Sequence, residues 1–193
     1  MANFKGIVLV TWHHDYGSGT IPGLSPKELR RKTRRNCRKS VWLAGGNARR
    51  VVFGAMNLVT GTRLLLPRPK GRSIDFQAFL DEVRRHYGGR YVAMLLDEDP
   101  SHTAKASLKA SEGITLLWLP KRSPELNPMD TLWGQGKDVV SADKQYGTIE
   151  EHVDRFLKYL YGLSNREALH TSGVLSDDFW LRRTLSKKFC GSA

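Results

Sequence analysis

From Arg50 onward the apolar and polar positions fall into regular blocks. "RVVFGAMNLVTGTRLLL" holds two apolar runs joined at Thr60-Gly61, which predicts a β-hairpin. Ser73 then stands ahead of Phe76, Phe79, Leu80 and Val83, a helical spacing that Ser73 can cap and Gly88-Gly89 stops. "YVAMLL" is a short continuous apolar run, as in a strand buried on both faces, and "ITLLWL" reads as the next buried strand. A short helix is expected between them, from about Pro100 to Ala110. Further helices are expected from about Pro128 and from Thr148. Thr148-Ile-Glu-Glu151 has the capping-box pattern, and Ile149, Val153, Phe156, Leu157 and Leu160 make an apolar face. The end of the chain reads as helical but less patterned, and no internal repeat is visible.

Hairpin, helix, strand, helix, strand, helices is an α/β order with a parallel part to its sheet. Ligands of such sheets bind beyond the carboxyl ends of the strands. The first quarter of the chain differs in texture. "GIVLVTW" is long enough for one strand, but from His13 to Ser40 apolar residues are sparse and aperiodic, which predicts loop. The expected organisation is an irregular basic segment over 1–45, a folded domain over 46–183 and a tail over 184–193.

Charge sharpens this division. The 193 residues carry a net charge of +12, and residues 1–50 hold 11 Lys/Arg against 2 acids. "RRKTRRNCRK" is therefore either a solvated arm or a contact to a polyanion such as nucleic acid. Two cysteines, Cys37 and Cys190, make neither a metal spacing nor a disulfide framework, which fits a reducing, cytoplasmic setting. No apolar run reaches membrane-spanning length, and "HHDYG" follows the first one where a signal peptide needs small residues, so no membrane partner is expected.

Both buried strands lead into acids. "YVAMLL" ends on Asp97, and "ITLLWL" leads through Ser-Pro-Glu-Leu-Asn-Pro to Asp130. A parallel pair of strands would put the two carboxylates at one edge of the sheet, where hard divalent cations could take their oxygens. Structural readings compete. Asp99-Pro100 and Asn127-Pro128 each look like an N-cap followed by proline at the first helical position. Asp130 then falls third in its helix, where an acid suits the dipole. Asp97 resists such a reading, because an acid closing an apolar strand is costly unless paired or ligated. His102 suits a bond to a neighbouring backbone group. The prolines hold the path from strand to helix.

"LLDEDPSH", followed by "LLWLPKRSPELNPMDTLWGQGK", resembles the catalytic core of mariner-like insertion-sequence transposases of the DDE/D type, and "VVFGAMNLVTG" resembles their hairpin. The resemblance runs from about Asn47 to Trp180. It implies a ribonuclease H-like mixed sheet flanked by helices, and DNA cleavage and strand transfer with two Mg2+ or Mn2+ ions. Transposon ends and target DNA would be the partners, at the nucleoid, with a possible homodimer. It makes Asp97 the second catalytic acid and Asp130 the third, both metal ligands, with 32 residues between them. His102, Lys121, Arg122 and Lys137 become DNA-contact candidates, and Trp133 a packing residue. Two departures add charge. Glu98-Asp99 stands where the family has Asn-Ala, which opposes ionisation of Asp97, and Lys121-Arg122 stands where it has Pro-Tyr, which favours a phosphate contact.

The first acid departs from the family pattern. The family's central strand ends in Asp-Glu, whereas "TWHHDYGSG" offers Asp15, three residues past the apolar run. Asp15 is one candidate. The alternative is that residues 1–45 are read out of frame or degraded, leaving a catalytically inactive DNA-binding relic. The helix-turn-helix region that such transposases carry ahead of the core has no counterpart here. A host nuclease of the same fold is a third reading, which the proline segment disfavours.

Overall fold

The computed structural model describes the backbone of residues 7–17 and residues 49–121, 123–141 and 146–182. Most of the basic segment, both cysteines, Arg122 and the expected tail lie outside the described residues.

Five strands form one mixed sheet in the order β3-β2-β1-β4-β5. β1 (Ile7–Gly17) lies at its centre, antiparallel to β2 (Arg49–Asn57) and parallel to β4 (Val92–Leu96). β3 (Arg63–Arg68) pairs antiparallel with β2, completing the hairpin, and β5 (Ile114–Trp118) pairs parallel with β4. Two expectations are corrected here. Residues 13–17, read as loop, continue β1, because β2 supplies a ladder as far as Gly17↔Arg49 that no apolar period is needed to hold. β5, read as fully buried, is an edge strand with Leu117 and Trp118 exposed.

β2 shows why the hairpin reads as a near-continuous apolar run. Val51, Phe53 and Ala55 join one core with Phe76, Phe79, Leu80 and Val83 of α1 (Ser73–Tyr87). Val52 and Met56 join a second core on the opposite face. That core is roofed by α4 (Pro128–Ser141) and α5 (Ile149–Gly162), with Leu169 of α6 (Asn165–Thr171). The crossover from β4 to β5 is a helix broken in two, α2 (Pro100–Thr103) and α3 (Lys105–Ala110), because Ala104 adopts an extended ψ of 138°. Gly61 closes the hairpin at φ 75°, and a Cβ there would stand 2.2 Å from the Asn165 carbonyl oxygen. Both the handedness and the contact with α6 require glycine at this turn.

The start of α1 departs from expectation. Arg72, not Ser73, is the capping position, and Asp75 does the work by accepting the Arg72 backbone N–H at 3.2 Å. Asp75 is 1% exposed and also accepts from Arg68 Nε at 2.9 Å. Burial acts to raise its pKa, but the hydrogen bonds from Arg68 and Arg72 outweigh it and hold the carboxyl below its ordinary 3.8. A lowered folded-state pKa contributes stability that is present above the unfolded value and lost as pH falls through the folded one. Asp75→Asn should therefore destabilise by about 1.5–3 kcal/mol at pH 7. The gap from wild type should shrink in urea titrations below the ordinary carboxylate range; a gap independent of pH would contradict this.

Candidate active site

β4 ends at Leu96, so Asp97 is the first residue beyond its hydrogen-bonded ladder. The Leu119 backbone N–H donates to the Leu96 carbonyl at 2.9 Å, which carries the β4–β5 pairing to the same level. The chain then turns through a 3-10 segment (Pro124–Leu126), whose Leu126 carbonyl accepts the Trp180 indole N–H at 3.0 Å. Asn127 Oδ1 accepts the Met129 N–H at 3.0 Å, capping α4 as its sequence suggests. Asp130 is the third residue of α4, half-buried, with its backbone N–H on the Asn127 carbonyl at 3.0 Å.

Sheet register shows how α4 is aimed. β1 pairs Val10 with Leu95, and continuing that register brings Trp12 level with Asp97. Trp12 in turn pairs with Gly54 of β2. Trp12 and Gly54 thus form one row across β1 and β2, and Trp133 of α4 packs on its Gly54 end. A Cβ on Gly54 would stand 2.6 Å from the Trp133 ring. The fully buried Trp133 stacks on Phe156, with ring centroids 5.1 Å apart. Asp130 precedes Trp133 by one helical turn, about 5 Å along the axis. Asp97 thus follows the carboxyl end of β4 and Asp130 lies in the first turn of α4, so the two carboxylates stand on separate rigid elements.

His102 explains how Asp97 is held. Its ring is 0% exposed and lies 4.4 Å from that of Phe76, centroid to centroid. Its Nδ1 stands 2.8 Å from Asp97 Oδ1 and 3.2 Å from the Asp97 carbonyl oxygen. A side chain so buried cannot touch DNA, so the expectation of a DNA contact at His102 is corrected: its Nδ1 bonds the Asp97 carbonyl oxygen and lies beside the Asp97 carboxylate. His102→Phe keeps the packing against Phe76 but removes the hydrogen bond. It should leave the melting temperature near wild type and lower metal-dependent cleavage about 10–100-fold. Unchanged cleavage would show that Asp97 needs no such partner.

The cationic candidates separate. Lys121 is 77% exposed and pairs with Glu98 at 3.0 Å. Lys137 is two turns beyond Asp130 on α4; burial pulls its pKa down, while the carboxylates of Asp130 and Asp138 oppose that pull. Asp99 accepts the Ser101 N–H at 2.7 Å, the cap its sequence suggested. Asp15 lies in β1 opposite Val51, three residues past Trp12 and so about 10 Å further along the strand. Among the described residues no group of three His, Cys, Asp or Glu is placed to hold a metal ion. The backbone bond expected of His102 is present, to the Asp97 carbonyl oxygen; what sequence reading missed is the approach of the ring to the Asp97 carboxylate. Its signal was the five-residue spacing, which the buried strand end converts into contact.

Among the described residues no helix is long and apolar enough to cross a membrane. The mixed sheet flanked by helices is shared with solved transposases. The Mos1 transposase paired-end complex with the left transposon end superposes with a TM-score of 0.62 at 14% identity, covering 89% of this chain and 53% of that one. The mariner Mos1 paired-end complex with Mg gives 0.65 at 13% identity, over 94% and 55%. The Mos1 catalytic domain with raltegravir and Mg gives 0.59 at 13% identity, over 87% and 77%. This chain spans about half the length of the first of these, and what is shared at such identity is the ribonuclease H-like fold. In sequence, an uncharacterized protein of Sinorhizobium fredii (strain NBRC 101917 / NGR234), y4pE/y4sA, is 35% identical over 105 residues, which are 52% of this chain and 77% of that one. The model of the DDE superfamily endonucleases matches residues 23–152, well over half of the chain, and the chain belongs to that family.

Proposed function

We propose that this chain acts as the catalytic domain of a transposase, cleaving DNA strands and joining them to target DNA. The observation that carries this reading is that Asp97, directly after the carboxyl end of β4, and Asp130, in the first turn of α4, stand on separate rigid elements. An all-oxygen donor set of this kind suits hard divalent cations, Mg2+ or Mn2+. Two ions are expected, held by Asp97 and Asp130; Asp15, the acid that β1 offers, stands about 10 Å along that strand from the level of Asp97 and is the candidate for a further ligand only if the site reaches that far. Bound there, the metal would activate the attacking oxygen and stabilise the leaving one. The chain's own residues supply the rest. His102 fixes the carboxylate of Asp97, the Asn127 cap and the Trp133 seat fix α4 and so Asp130, and Lys121, Arg122 and Lys137 offer charge to phosphates. Transposon ends and target DNA would be the partners, with a second copy of the chain to serve two ends, in the cytoplasm at the nucleoid.

One observation favours a second reading, a DNA-binding relic without catalysis. Trp12, not an acid, occupies the β1 position level with Asp97, and the family match begins only at residue 23. Incubating supercoiled DNA with the protein in Mg2+ or Mn2+, with a chelator control, separates the two. Metal-dependent nicking that Asp15→Ala removes supports catalysis with Asp15 as the first acid. Salt-sensitive binding without nicking overturns the catalytic reading in favour of the relic.

A further inference from the structure

Glu98 and Lys121 lie on different connections, one leaving β4 and the other leaving β5. The Leu119–Leu96 hydrogen bond aligns the two exits, and each charged residue stands two positions beyond its member of that pair. Their ion pair, at 3.0 Å, therefore spans the carboxyl edge of the sheet beside Asp97.

The pair is open to solvent, with Lys121 77% and Glu98 41% exposed. An ion pair so exposed contributes little stability, so a better anion can replace the carboxylate. A DNA phosphate is such an anion: it brings its own charge, and counterion release favours its arrival. We propose that Glu98 holds Lys121 as a stand-in for a DNA phosphate, and that a docking strand takes Lys121 from it. The exchange sets how tightly the chain holds DNA at the active edge. Glu98 then opposes premature DNA binding in two ways, by occupying Lys121 and by its own charge. This inference rests on the reading above that DNA is the substrate.

A double-mutant cycle tests it. Binding of a fluorescent DNA duplex is measured by anisotropy over a range of salt, in chelator, so that cleavage plays no part. Glu98→Gln should tighten binding roughly two- to five-fold, the range expected for releasing an exposed pair. Lys121→Ala should weaken binding and lower the salt slope by about one phosphate contact. In the Lys121→Ala background, Glu98→Gln should give a clearly smaller gain than in wild type. Both side chains are exposed, so melting curves should match wild type. An equal gain in both backgrounds would mean that Glu98 only repels DNA, and the exchange would be overturned while the transposase reading stood. No tightening in Glu98→Gln would overturn it as well. If the wild-type protein bound no DNA at all, both would fall together.

Discussion

Asp97→Asn should abolish metal-dependent DNA cleavage while leaving the fold and DNA binding nearly unchanged. The asparagine keeps the shape of the side chain and an oxygen for His102 Nδ1, which stands 2.8 Å from the present carboxylate and 3.2 Å from the backbone carbonyl. It loses the negative charge that a hard cation requires. Metal-assisted stabilisation of the reacting oxygens is worth several kcal/mol, so a loss of at least about a thousandfold is expected. Asp130→Asn should do the same from the other element, since its capping bond uses the backbone N–H and not the carboxylate. The check is a nicking assay in Mg2+ and Mn2+ beside anisotropy with the same DNA. Cleavage retained in either variant would remove that residue from the catalytic set. Lost DNA binding in both would mean instead that the carboxylates maintain the docking surface.

Trp133→Ala should produce the largest loss of stability. The ring is fully buried, faces Gly54 on β2 and stacks on Phe156 of α5, so its removal opens a cavity between the sheet and two helices. Truncations of this kind cost about 3–5 kcal/mol, equivalent to a fall in melting temperature of roughly 10 °C for a chain of this size. The indole N–H has no hydrogen-bond partner among the described residues, so packing and not polarity holds the ring. Gly54→Ala attacks the same contact from the sheet. Its Cβ would press on the Trp133 ring at 2.6 Å and push α4 outward, at a cost of about 1–3 kcal/mol. Because Asp130 is one turn from Trp133, Gly54→Ala should also slow cleavage at temperatures where the protein remains folded. A melting temperature within about 2 °C of wild type for Trp133→Ala would show that α4 is held by other contacts.

The site and the fold were legible to different degrees. Asp97 and Asp130 could be singled out because an acid at the end of an apolar strand and a proline-bounded helix start are local signals. The caps at Asp99, Asn127 and Thr148 were legible for the same reason, and the structure places each on the expected backbone N–H. The backbone bond expected of His102 is present, to the Asp97 carbonyl oxygen, but its burial was not legible, because its sequence neighbourhood is polar and it is the packing of α2 under Phe76 that excludes solvent from it. The α1 cap was misread because Asp75 owes its place to Arg68 on β3, a partner the local pattern does not reveal.

The amino-acid sequence by itself determined the order of the elements, the hairpin, the apolar faces of α1 and α5 and the caps at Asp99, Asn127 and Thr148, since each rests on neighbours within a few residues. Tertiary structure alone decided that β1 runs on to Gly17 at the centre of the sheet and that β5 is an edge. It also decided that Trp12 stands level with Asp97, that His102 is buried, and that Glu98 meets Lys121. The reason is physical. A strand's own pattern reports which of its faces are apolar, but hydrogen-bond partners and register are chosen by other strands. Contacts between residues far apart in sequence exist only once those choices are made.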